Sequence, residues 1–218
     1  MVNGLNQFKE RNMAMKLSMK FVVRLMVVVL MVGLLAGTAT AEDFKKFGIR
    51  VRGLGVFPDT KADSALSALG LDASEDLTPE LDLEYFFTPY LSSELILGVT
   101  HHDITTNGDY LGSTWLLPPT LTLKYHFAPD SKISPYVGAG INYVIPFKEE
   151  ANGIDDFNID SSFGWAAQLG VDVALGNSWY ANLDFKYLNL ETEMKIAGDK
   201  FDLDLNPIVV GLGVGYRF

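Results

Sequence analysis

The chain has 218 residues, of which 48% are apolar, no cysteine, and a formal net charge of -10. Without cysteine it has no disulfide framework, thiolate metal site or cysteine nucleophile, and so acidic a chain is a poor partner for nucleic-acid phosphates. The length suits one domain, and the apolar share is enough for a large buried or lipid-facing surface.

The first element is a leader. Lys16, Lys20 and Arg24 precede an apolar run from Leu25 to Leu35, and Ala39-Thr40-Ala41 supplies a small-x-small cleavage pattern. At roughly eleven residues the run is too short for the ~20 that a spanning helix needs. Residues 1–41 are therefore expected to be a cleaved signal peptide, with translation starting at Met1, Met13, Met15 or Met19. Removing Lys9, Arg11, Lys16, Lys20, Arg24 and Glu10 leaves 12 basic and 26 acidic residues in 42–218, a net charge of -14.

From Phe44 onward the pattern has period two, which means strands. Leu81, Leu83, Tyr85 and Phe87 alternate with Asp82, Glu84 and Phe86; Leu121, Leu123, Tyr125 and Phe127 alternate with Thr120, Thr122, Lys124 and His126. Phe163, Trp165, Ala167, Leu169, Val171 and Val173 lie opposite Gly164, Gln168, Gly170 and Asp172. In the last segment Ile208, Val210, Leu212, Val214, Tyr216 and Phe218 lie opposite Gly211, Gly213, Gly215 and Arg217. Eight segments follow from this reading: 44–57, 79–88, 90–101, 115–127, 133–147, 161–175, 179–190 and 201–218.

The connections alternate strictly between short and long. Thr88-Pro89, Ala128-Pro129-Asp130-Ser131 and Gly176-Asn177-Ser178 are tight turns, whereas 58–78, 102–114, 148–160 and 191–200 are long and polar. A short helix is expected over 62–71, bringing Leu66, Leu69 and Leu71 to a barrel mouth. Short inner turns, long outer loops and an even strand count predict an all-β, eight-stranded, antiparallel, up-and-down transmembrane barrel over 42–218 with both termini in the periplasm of a Gram-negative cell. Phe44, Phe47, Tyr85, Phe87, Tyr90, Tyr125, Phe127, Tyr136, Trp179, Tyr180, Tyr216 and Phe218 all fall beside the short turns or the termini, where a membrane interface recruits aromatic rings. A soluble sandwich or lipocalin-like barrel would reverse the sense of the two faces and has no use for this ring placement.

Several stretches resemble the OmpW family of outer-membrane proteins: Leu117-Pro118-Pro119-Thr120-Leu121, then 135–143 (Pro-Tyr-Val-Gly-Ala-Gly-Ile-Asn-Tyr), Gln168-Leu169-Gly170-Val171-Asp172, and Gly215-Tyr216-Arg217-Phe218. They occur in family order and, with the strands between them, cover the mature chain. The resemblance implies a narrow hydrophobic channel opening from the outer surface that takes up small apolar solutes and releases them sideways into the membrane, as in the family's alkane-uptake relatives. It also implies handover to the barrel-insertion machinery through Phe218, with outer-membrane lipid and lipopolysaccharide as surroundings. The resemblance implies that Phe163, facing Leu81 on another strand, is the counterpart of a residue in the family's apolar constriction; simple alternation turns Phe163 to lipid unless a bulge shifts the register.

With the apolar stripe facing lipid, Arg50, Arg52, Asp82, Glu84, Glu94, Lys124, Asp172, Asp184, Lys186 and Arg217 share the lumen. Buried charges persist only when paired, so these ten are expected to interlock as a polar plug. A solute entering from outside must then leave through the wall. Pro118 and Pro119 open the fourth strand and Pro146 closes the fifth at the same level, which places a candidate lateral gap between those strands, or merely marks their ends.

Other motifs carry less. Gly211-Leu212-Gly213-Val214-Gly215 lacks the helix of a nucleotide loop and reads as small residues making room for lumen side chains. His101 and His102 are adjacent on a strand and point to opposite faces, which disfavours a shared metal. A lipid A hydrolase or acyltransferase would need a serine and a carboxylate arrayed beside those histidines, and none is evident. No metal, cofactor or enzymatic role is assigned. Asp72, Glu75, Asp76, Glu149, Glu150, Asp155 and Asp156 make an acidic, self-repelling outer loop surface. A barrel that only anchors or adheres is the alternative to transport.

Overall fold

The structure, a computed structural model, describes residues 44–59, 61–62, 71–107, 109–151, 158–196 and 199–218. The leader and most of the 62–71 stretch lie outside the described residues, as do Asp155 and Asp156. The strands are β1 (Phe47–Phe57), β2 (Lys61–Ala62), β3 (Leu71–Ala73), β4 (Asp76–Phe86), β5 (Leu91–Gly98), β6 (Thr100–Thr106), β7 (Asp109–Leu117), β8 (Thr120–His126), β9 (Ile133–Ala151), β10 (Asn158–Ile159), β11 (Ser162–Gly176), β12 (Trp179–Leu188), β13 (Glu191–Ile196), β14 (Asp199–Asp204) and β15 (Ile208–Arg217).

Eight of them close on themselves. β1, β4, β5, β8, β9, β11, β12 and β15 pair antiparallel in sequence order, and β15 returns to β1 through a register from Gly48↔Arg217 to Phe57↔Ile208. Closure leaves none of the eight as a free edge strand, the condition for sheet to cross hydrocarbon. The start of β1 and the C-terminal residue meet at the short-turn end, where Phe47 N donates to Phe218 O and Phe218 N to Phe47 O. Here the tight turns are built by local chemistry. Thr88 Oγ1 accepts from Leu91 N at 3.0 Å, and Gly176, Asn177 and Ser178 all take positive φ.

The sense of the faces is unambiguous. Val51, Leu123, Leu169 and Val214 lie exposed on the outside, while Arg52, Asp82, Lys124 and Asp184 are buried in the lumen. Phe87, Tyr90, Tyr125, Phe127, Trp179 and Phe218 are exposed at the periplasmic end, with Phe47 and Tyr85 rings 5.1 Å apart and Trp179 and Tyr216 rings 5.2 Å apart. Tyr136 and Tyr180 depart from this girdle. Each is in phase with inward residues, Ser134 and Asn142 for one, Asn182 and Asp184 for the other, and both are buried in the lumen.

The segments at 90–101 and 115–127 are not single strands. Val99 separates β5 from β6, and Pro118-Pro119 separate β7 from β8. The expected eighth segment also divides: 201–204 belongs to β14, and the barrel strand starts at Ile208 after Pro207. The long outer connections thus carry sheet of their own. β6 and β7 form a ribbon that continues β5 and β8 beyond the break, flanked by β3 and the far end of β9, while β10, β13, β14 and β2 make a separate four-stranded sheet. Ile104, Ile159, Leu190 and Leu205 from these outer parts pack with Leu54, Val56, Val144 and Leu188 of the barrel.

Candidate functional site

The lumen has two storeys. On β1 the inward side chains run Arg50, Arg52, Leu54, Val56; on β12 they run Asn182, Asp184, Lys186, Leu188. The same face of the same strand changes from charged to aliphatic partway up.

The lower storey is an ion network. Arg50 donates to Glu84 Oε2 at 2.7 Å and to Glu94 Oε1 at 2.8 Å; Arg52 reaches Glu80 Oε1 at 3.0 Å, Glu94 Oε1 at 2.9 Å, Asp184 Oδ1 at 3.1 Å and Asp82 Oδ2 at 3.1 Å. Lys124 lies 3.0 Å from Glu84 and 3.3 Å from Glu94, Lys186 bonds both oxygens of Glu80 at 2.7 and 3.0 Å, and Arg217 reaches Asp172 at 3.0 Å. Six carboxylates therefore face five permanent cations, with His126 3.3 Å from Glu84. Every one of the ten charged residues assigned to the lumen from the sequence lies there.

The network extends beyond those ten charges. Glu80 sits two residues before Asp82 on the same face, and Gln168, Asn182, Tyr136, Tyr180, Ser92 and Thr122 fill the gaps. Tyr136 donates to Asp184, and Lys124 Nζ lies 4.0 Å from the centre of its ring. Glycines make room for this bulk: a Cβ on Gly170 would collide with the Tyr136 hydroxyl, and one on Gly215 with the Tyr180 ring. The glycine run at 211–215 thus serves lumen packing.

Above the network lies an apolar chamber of about 40 Å³. Glu80 and Lys186 form its floor, Leu54, Val56, Ile96, Leu116, Leu188 and Val209 its walls, and Leu190, Leu205, Pro58 and Pro207 its outer end. Thr100, His102 and Thr120 add polar atoms on one side. His102 is buried, its Nδ1 2.7 Å from Ser74 O, and burial lowers its pKa below the ordinary histidine value. His101 points the other way, half-exposed, its ring 4.9 Å from Trp115.

The wall beside the chamber is interrupted. The β5–β8 ladder ends at Ile96↔Thr120 and the β6–β7 ladder begins at Thr100↔Leu116 in one continuous register, so residues 97–99 lie opposite 117–119 without pairing. By strand alternation Pro118 N points toward β5, and it has no proton to give. Its carbonyl accepts from Thr120 Oγ1 at 3.0 Å instead.

The interruption expected between the fourth and fifth barrel strands is bridged there: Tyr143 N donates to Pro119 O at 3.1 Å, and Leu117↔Ile145 and Leu116↔Pro146 resume the ladder. The break lies instead between the third and fourth. Pro146 is buried on the bridged side. Leu81 and Phe163 do not line the chamber. Both face outward, Phe163 75% exposed with its ring 4.5 Å from Tyr143, because no bulge shifts their register.

Comparison with known proteins matches this architecture. The model of the family described as OmpW family covers residues 44–218. An uncharacterized outer-membrane protein, y4mB, of Sinorhizobium fredii is 40% identical over 193 residues, 84% of each chain, and outer membrane protein W of Vibrio cholerae is 35% identical over 193 residues, 79% of this chain and 88% of that one. The crystal structure of the outer membrane protein OprG from Pseudomonas aeruginosa superposes with a TM-score of 0.72 at 28% identity, covering 80% of this chain and 96% of that one. The chain therefore belongs to the OmpW family and is a barrel of the Gram-negative outer membrane with both termini in the periplasm.

Proposed function

We propose that the barrel takes up small apolar molecules from the outer surface into the chamber and releases them sideways into the outer membrane through the β5–β8 seam. The observation that carries this reading is the coincidence of cavity and break. Ile96, Gly98 and Thr100 on one side of the seam, and Leu116, Pro118 and Thr120 on the other, all line the chamber. Downward passage meets a floor of paired charges, whose separation costs several kcal/mol per ion. An apolar solute gains nothing there and gains lipid by moving sideways. The cavity that holds benzene in other proteins is about 150 Å³, so a chamber of about 40 Å³ admits a chain molecule only if a wall yields. Among the described residues of the barrel wall, the seam leaves 97–99 and 117–119 without ladder bonds to break.

In the same reading residues 1–41 are a cleaved export signal, Phe218 presents the chain to the insertion machinery, and lipopolysaccharide surrounds the outer ribbon; the mass of the mature protein tests the first of these. A staple tests the route. Val99 and Leu117 are opposed across the seam, and the chain has no cysteine to interfere. Oxidised Val99→Cys/Leu117→Cys protein is expected to lose barrel-dependent octane uptake in cells, by about tenfold or more, and dithiothreitol is expected to restore it. Full uptake by the oxidised, verified disulfide would remove the seam from the mechanism.

A further inference from the structure

The polar atoms around the chamber have a consistent hydrogen-bonding sense. His102 Nδ1 faces a carbonyl, Ser74 O, and must carry the proton; the neutral ring then offers Nε2 as an acceptor, and Thr100 Oγ1, 3.1 Å away, donates to it. Thr120 Oγ1 spends its proton on Pro118 O. The Lys186 ammonium is ringed by Glu80 Oε1 and Oε2 at 2.7 and 3.0 Å and by Asp184 Oδ1 at 3.2 Å. Backbone donors at the seam lie in the plane of the sheet and not toward the lumen. Each side-chain proton at the chamber wall is thus directed at a protein acceptor.

What remains facing the cavity is lone pairs. A hydroxyl oxygen has two acceptor sites and a carboxylate about four. Thr100 Oγ1, Thr120 Oγ1 and Glu80 Oε2 each keep acceptor capacity after the bonds just named. Glu80 is on the floor, while Thr100 and Thr120 flank the seam. A ligand that carries an O–H can bond at either place. A ligand that carries only a carbonyl or ether oxygen finds no donor, and must bury its lone pairs against leucine or against other lone pairs.

We infer that the chamber selects small apolar molecules bearing a hydroxyl group, aliphatic alcohols foremost, over equally apolar molecules whose one polar group is an acceptor. This rests on the uptake reading above and gives it a substrate class. The hydroxyl leads, because it is the end the floor and the seam can bind, and the alkyl chain follows through the aliphatic outer end.

The test uses the full chain in the outer membrane of cells that otherwise lack such a barrel, with octane, octanol and octanone supplied separately and barrel-dependent uptake taken as the difference from cells without it. The wild-type protein is expected to favour octanol over octanone by about tenfold, the worth of one hydrogen bond with good geometry. Thr100→Val/Thr120→Val is expected to lower that ratio to what the Glu80 acceptor alone supports, and Thr100→Ser/Thr120→Ser to restore it, with unheated gel mobility showing that each barrel is folded. Equal barrel-dependent uptake of octanol and octanone by the wild type overturns the inference while leaving the uptake reading intact. No barrel-dependent uptake of any of the three, octane included, sinks both. The wild-type ratio decides the matter even if the valine variant fails to fold.

Discussion

The two storeys of the lumen are built by the same strands on the same inward face, yet they differ in everything that governs compliance. Below, Arg52 touches four carboxylates across 2.9–3.1 Å, and its side chain has no exposed surface. Above, Leu54, two residues further along β1, touches other aliphatic groups beside an open space and an interrupted wall. A network of directional bonds holds one geometry and penalises any other, whereas dispersion contacts among leucines are individually weak and reform in new arrangements. In the proposed uptake route the lower half is the fixed stopper and the upper half the yielding receptacle. Period-two alternation specifies inside and outside equally well for both; it is the chemistry of the inward residue that separates them.

The contrast breaks most severely at Arg52. Replacing it with Leu leaves Glu80, Asp82, Glu94 and Asp184 sharing a buried space with one cation fewer. Removing one partner of a buried ionic cluster costs about 3–5 kcal/mol. The urea midpoint of the purified barrel in lipid should fall accordingly, and the loosened stopper should raise ion conductance across planar bilayers. An unchanged midpoint would mean that the lower storey is wet and its pairs screened.

A substitution in the upper storey should do the reverse, harming uptake far more than stability. Gly98 lines the chamber, and a Cβ placed there meets nothing nearer than 3.9 Å; the residue does not take positive φ. Leucine at this position is expected to occupy the cavity and cut octane uptake about fivefold or more, with a stability change within about 1 kcal/mol because the new side chain is buried without displacing backbone. Undiminished uptake by Gly98→Leu would show that solutes bypass the chamber.

Much of this division was legible in the sequence. Arg50, Arg52, Leu54 and Val56 share one parity, so the change of storey is written on β1 itself, and Glu80 differs from Asp82 and Glu84 only in standing nearer the strand start. Tyr136 and Tyr180 were misplaced because their position beside the short turns competes with their parity, and parity prevails when glycines at 170 and 215 leave space for the rings. The prolines at 118 and 119 revealed the level of the break and not its side. The side depends on which way each nitrogen points in the ladder, which is settled only once the strands are in register. The outer strands look like loops in the sequence because two-, three- and six-residue pieces such as β10, β3 and β13 carry too few residues for periodicity to register.

The smallest expected effect lies where the receptacle meets the outer ribbon. His102 joins β6 to the link before β4 through Ser74 O, and that contact is flanked by Asp103 N to Ser74 Oγ at 2.9 Å and His101 N to Asp76 Oδ2 at 2.8 Å. Burial, the largest influence, lowers the pKa of the ring in the folded protein, while the carboxylates of Asp76 and Asp103 oppose the shift and His101 adds to it. The unfolded chain, with a histidine near pH 6.5, then binds the proton more readily than the folded ribbon does, so the ribbon's stability is complete above that pH and declines as pH falls from there toward the lower folded-state value. Corrected for intrinsic rates, hydrogen exchange in β6 and β7 should quicken between pH 7.5 and pH 5, with β11 and β12 unchanged. His102→Asn keeps a side-chain donor for Ser74 O and removes the titration, so its exchange should be flat across the same interval. A variant that still quickened would show that the acid response does not originate in the His102 ring, and the histidine would then serve the ribbon only as a hydrogen-bonding strut to Ser74 O.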